Sequence, residues 1–200
     1  MSKNNGITEV SQVEATADPS ALGLGAFALT TFVLSVGNAQ LIPDEAKPAF
    51  LGLAFFYGGL AQLLAGMQDY KKNNVFGATA FSSYGAFWLS LATLTLLEAI
   101  GVINWGAHGG IAIGVFLIGF TVFNTYMWIA SFRTNGAVCG VFTTLEITFI
   151  LLVLAEFGII SSVPGGIMGI VTAAVAWYAS AAGVINSTFK RTVLPIWPLG

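Results

Sequence analysis

The chain has 200 residues, of which 56% are hydrophobic and only 8% charged. Soluble domains carry roughly 25% charged residues, so a water-covered globular surface is excluded. A net charge of −2 leaves no footprint for nucleic acid, the single cysteine excludes an internal disulfide, and the single histidine excludes a histidine-rich metal centre.

Residues 1–18 are polar and carry Lys3, Glu9, Glu14 and Asp18. They lack the apolar run of a secretory signal and read as a cytoplasmic tail. Asp18 is placed to cap a first helix by accepting its orphan N–H bonds, and Pro19 sits where a missing N–H is harmless. Charge-free runs then follow one another: 19–43, 48–68, 73–97 and 99–132, a run at 134–155 interrupted only by Glu146, and 157–189. Crossing ~30 Å of hydrocarbon takes ~20 apolar residues. Helices are therefore predicted at about 21–41, 49–68, 76–98, 108–131, 137–157 and 164–187. Continuous apolar runs such as Phe149-Ile150-Leu151-Leu152-Val153-Leu154 lack the alternation of a membrane β-barrel. The expected fold is an all-α integral membrane protein: six transmembrane helices in a domain over 19–189, with a second cytoplasmic tail at 190–200.

Orientation follows from the basic residues. Lys3, Lys71, Lys72, Arg133, Lys190 and Arg191 fall on one side of a six-span arrangement, and Lys47 alone on the other. Basic loops stay inside, so both termini are expected in the cytoplasm, with the spans in the plasma membrane and the lipid bilayer as their solvent. Single residues His108 and Cys139 fall at opposite faces and cannot form a Cys–His pair, so an enzyme is not expected. Nothing calls for a cofactor or a metal.

Within the spans there is no Lys or Arg to clamp an anion. A pathway for a charged solute must then use neutral donors and positive helix ends. Hydroxyls and amides suited to that role are Thr30, Thr31, Gln62, Thr79, Ser83, Asn124 and Thr144, of which Gln62 stands out for its size and apolar setting, together with Tyr84. Glu146 is the one charged residue near the middle of a span. Intramembrane carboxylates are commonly functional, and two readings stand: a group coupling proton and substrate movement, or a neutral acid bonded between helices.

Three stretches carry a family resemblance. Asp18-Pro19-Ser20-Ala21-Leu22-Gly23-Leu24 leads into Phe27 and Thr30-Thr31. Phe56-Tyr57-Gly58-Gly59-Leu60-Ala61-Gln62 runs on through Tyr70-Lys71-Lys72 and Phe76-Gly77 to Ser83-Tyr84-Gly85 and Phe87-Trp88. The third is Phe189-Lys190-Arg191-Thr192-Val193-Leu194-Pro195-Ile196. Together they resemble the acetate uptake transporters, also called succinate–acetate permeases.

The resemblance implies a six-helix protomer with its own pore, assembled as a homo-hexamer and moving acetate, succinate or other small carboxylates. It further implies an apolar constriction midway through the pore, mapped here to Phe27, Tyr84 and Leu145. The opening motif maps to Asp18, Pro19, Leu22, Gly23 and Leu24, with Asp18 standing where the family has Asn and Ala21 where it has a second Pro. Glu146 belongs to no family signature. The alternative is a channel for a small neutral solute such as urea or a short amide, for which hydroxyl and carboxamide linings would serve equally well.

Overall fold

The computed structural model describes residues 17–199. Among these, six helical stretches are long and apolar enough to cross a membrane. The first is α1 (Ser20–Asn38). The second, Asp44–Lys71, is composite: a 3₁₀ turn at Asp44–Ala49, α2 (Phe50–Phe55), a π-helical turn at Phe56–Ala61, and α3 (Gln62–Lys71). Then come α4 (Val75–Ala99), α5 (Gly109–Ser131), α6 (Gly136–Glu156) and α7 (Val163–Phe189). At 1.5 Å per residue, the 25 residues of α4 reach about 37 Å, enough to cross the bilayer.

The predicted spans match five of the six to within three residues at each end. The second departs, because Pro48 lies inside a 3₁₀ turn that begins five residues before the expected start. There proline removes a donor that an α-helix would need, while the looser turn tolerates it. The π turn is the other departure. One extra residue in a turn rotates everything beyond it by about 100°, which sets the direction in which Gln62, the first residue of α3, points.

Helix ends carry the chemistry their positions demand. Asn74 accepts from the Gly77 N–H at 3.1 Å to cap α4, and Asn135 accepts from the Val138 N–H at 3.0 Å to cap α6. Asp18 accepts from the Ser20 N–H at 3.1 Å and its hydroxyl at 2.8 Å, one residue earlier than expected of a cap, because the N-cap position of α1 falls on Pro19. On the opposite side of the bundle, α4 and α6 are terminated by Gly101 (φ 75°) and Gly158 (φ 71°), whose left-handed conformation glycine adopts without strain.

Helix α1 packs along α7 and against the π turn and α3; α4 packs on α3, and α6 lies between α5 and α7. With an even number of spans, residues 17–20 and the segment after Phe189 lie at one end, together with Lys71, Lys72 and Arg133. The final segment folds back over this end. Asn186 holds it by accepting from the Val193 and Leu194 N–H groups and donating to the Leu194 carbonyl. Its last residues lie antiparallel to the start of α6: Gly136 N–H donates to the Trp197 carbonyl at 2.7 Å and Ala137 N–H to that of Ile196. Two orphan donors of α6 are thereby satisfied.

Candidate pore and its constriction

Helices α1, α4 and α6 all start at the end where the described chain begins and ends, and their first halves enclose a cavity of about 250 Å³. Ser20, Asn74, Thr134 and Asn135 line its partly exposed mouth. Leu24, Phe81, Val138 and Val141 line its walls, and Gln62 enters from α3. Phe27, Tyr84 and Leu145 lie at its deep end, and are 5%, 3% and 5% exposed. Seven residues separate Ser20 from Phe27, and nine separate Val75 from Tyr84 and Gly136 from Leu145. At 1.5 Å each, the ring lies about 10–14 Å below the helix starts, near the middle of a ~30 Å hydrocarbon layer.

The ring is closed by aromatic packing. Phe27 and Tyr84 have centroids 5.6 Å apart, and Phe142 packs 6.2 Å from Tyr84 on the α6 side. Beyond it, Phe27 meets Trp88 at 6.5 Å, and Trp88 meets Phe87 at 5.1 Å. So the cavity ends at apolar rings rather than at a charge.

Electrostatics around the cavity come from neutral groups. None of the lining residues is charged. Three helix N-termini surround the mouth, each equivalent to roughly half a positive charge. Gln62 is 1% exposed and its Oε1 has no hydrogen-bond partner, although a buried carboxamide ordinarily finds one. An amide held in a cavity wall with spare bonding capacity suits a polar passenger. Asp18 stands at the rim with Lys72 3.3 Å away. Partial burial pushes the Asp18 carboxyl up, but hydrogen bonds from the Ser20 backbone and hydroxyl, with Lys72 beside it, outweigh this and hold it below its ordinary 3.8.

Of the expected pathway residues, the structure brings only Gln62 to the cavity wall. Thr30 is buried and donates to the Ala26 carbonyl, and Thr144 donates to those of Gly140 and Val141. Thr31 is buried, with its hydroxyl unpartnered, outside the lining. Thr79 is likewise not in the lining, and Ser83 faces a separate outer groove between α4 and α5. Asn124 and Glu146 sit one layer behind the ring, 0% and 8% exposed, joined to Tyr84 by hydrogen bonds. Of the opening motif, Leu24 lines the cavity, Pro19 and Gly23 are buried at its edge, and Leu22 is 45% exposed on the outer side of α1. The sequence reading missed Asn74 and Asn135 at the mouth. Their signal was available, since each immediately precedes an apolar run as helix caps do. It also missed Phe142, which nothing in the sequence distinguishes from the other phenylalanines.

A largely apolar cavity among membrane-spanning helices, with an uncharged lining and apolar rings at its deep end, is the build of a membrane channel or permease for a small solute. The model of the GPR1/FUN34/yaaH family matches residues 2–200, and the chain belongs to that family. The succinate-acetate/proton symporter SatP of Escherichia coli is 35% identical over 182 residues, covering 90% of this chain and 95% of that one. Acetate permease A of Emericella nidulans is 36% identical over 197 residues, covering 90% of this chain and 65% of that protein. Among solved structures, that of the bacterial acetate channel SatP superposes with a TM-score of 0.85 at 34% identity, covering 91% of this chain and 99% of that one. These relatives are transporters and channels, not enzymes.

Proposed function

We propose that the protein moves acetate, and related small carboxylates such as succinate, across the cell membrane through the pore of each protomer. The observation that carries this reading is the sequence of environments along the cavity. A carboxylate entering at the mouth meets three positive helix ends and then the Gln62 amide, none of which holds it as tightly as a fixed cation would. At Phe27, Tyr84 and Leu145 it must shed water, which a two-carbon acid does more easily than a larger polar solute. The names of SatP and acetate permease A support the same substrate class.

Both termini lie in the cytoplasm in this reading, because the basic residues gather at the end bearing the cavity mouth. The assembly is a homo-hexamer. The outer groove between α4 and α5, about 480 Å³, combines the small Ser83, Ala86 and Gly119 with the apolar Val115, Phe116 and Phe120, and offers a surface for a neighbouring protomer. The test is uptake of labelled acetate into proteoliposomes containing the purified protein. Saturable uptake displaced by unlabelled acetate and not by urea supports the reading; displacement by urea alone refutes it.

A further inference from the structure

Behind the ring lies a hydrogen-bonded chain that meets the cavity lining at the Tyr84 hydroxyl and the Phe142 backbone. The Tyr84 hydroxyl donates to Asn124 Oδ1 at 2.6 Å. Asn124 Nδ2 donates to Glu146 Oε2 at 2.6 Å and to the Phe142 carbonyl at 3.3 Å. Glu146 Oε1 is 2.7 Å from the Thr125 hydroxyl, which also lies 2.9 Å from the Thr121 carbonyl. Among the described residues Glu146 forms no ion pair.

The direction of this chain is fixed by its far end. A backbone carbonyl only accepts, so the Phe142 oxygen draws the NH₂ side of Asn124 toward α6. Glu146 Oε2, another acceptor, reinforces that choice. The carboxamide oxygen must then face α4, and the Tyr84 hydroxyl must be the donor to it. With its proton given to Asn124 on α5, the Tyr84 hydroxyl is held toward the seam of α4, α5 and α6 and has no proton to offer the cavity. A carboxamide also does not hand protons on as a hydroxyl or carboxyl does, so Glu146 is insulated from the pore.

We propose that Asn124 and Glu146 are positioning residues that keep the constriction free of hydrogen-bonding groups, and thereby set its selectivity against hydroxy acids. This rests on the carboxylate-permease reading. A hydroxyl passing the ring sheds its water and finds no partner there, a desolvation cost that a methyl or a hydrogen does not carry. Releasing the Tyr84 hydroxyl supplies that partner.

The experiment compares uptake of labelled glycolate and acetate, as a ratio, in proteoliposomes of the full chain. Replacing both buried polar groups together (Asn124→Leu with Glu146→Leu) leaves neither orphaned. The ratio is expected to rise about tenfold in the double variant and by less in Glu146→Leu alone, where Asn124 keeps its Phe142 and Tyr84 partners. It should stay near the wild-type value in Glu146→Gln, whose amide oxygen still accepts from Asn124. In a Tyr84→Phe background the double replacement should produce no rise. A ratio unmoved in both Leu variants overturns the inference, as does an equal rise without the Tyr84 hydroxyl. Loss of the acetate gradient response in Glu146→Gln would also overturn it, by making that carboxyl a proton carrier. Wild-type protein without any acetate uptake would instead sink the permease reading itself.

Discussion

Replacing Leu145 by Ala removes three carbons from the α6 side of the ring, opposite Phe27 and Tyr84. Leu145 is 5% exposed, and truncating a buried leucine destabilises by about 2–5 kcal/mol. Less folded protein would lower every uptake rate, so a fall in acetate transport by itself would say nothing about the gate. A ratio cancels the amount of protein. Each methylene that a pocket accepts or refuses is worth roughly 10- to 200-fold in discrimination, and butyrate exceeds acetate by two. The Leu145→Ala variant should therefore raise the butyrate-to-acetate uptake ratio by about tenfold or more in proteoliposomes. An unchanged ratio, with acetate uptake still measurable, would refute the assignment of Leu145 to the selectivity-limiting point.

Gln62→Leu should lower acetate uptake by about tenfold or more, since a hydrogen bond to a charged group is worth roughly 1.5–3 kcal/mol. Its melting temperature in detergent should not fall, because the amide oxygen it removes has no partner in the fold. Gly77→Val should cost about 1–3 kcal/mol by thermal melting, since any side chain there overlaps the Asp69 carboxylate and the Asn74 amide that caps α4. A Cβ at Gly119 meets nothing within 4 Å of the protomer, so Gly119→Leu should leave monomer melting intact while native mass spectrometry shows the hexamer lost. At the rim, the Asp18 carboxyl titrates below its unfolded value, so its stabilisation is present above that value and disappears as pH falls through the folded one. Melting curves of Asp18→Asn should accordingly lose less stability than wild type on acidification from neutral pH.

The number of crossings was legible because charge is excluded from hydrocarbon more strictly than any helix propensity acts. A single residue such as Glu98 or Arg133 was enough to end a run. The composite second span was not legible, since neither the tolerated Pro48 nor the π turn at Phe56–Ala61 alters the apolar pattern on which the prediction depends. The ring residues Phe27, Tyr84 and Leu145 came from the resemblance, and all three line the same cavity, from three different helices. Threonines were the weakest expectation. A helical threonine can satisfy its hydroxyl on the carbonyl one turn back, as Thr30, Thr121 and Thr144 do, so its presence in a span says little about a pore. The pairing of Asn124 with Glu146 spans 22 residues and two helices, a separation at which no sequence pattern brings two residues together.

Flux of labelled acetate through proteoliposomes of the wild-type protein, followed with an excess of unlabelled acetate, butyrate or urea, tests the central claim most directly. Saturable acetate uptake, competed by acetate, weakly by butyrate and not by urea, is the predicted result. No uptake above protein-free vesicles, or uptake abolished by urea and indifferent to acetate, would contradict it.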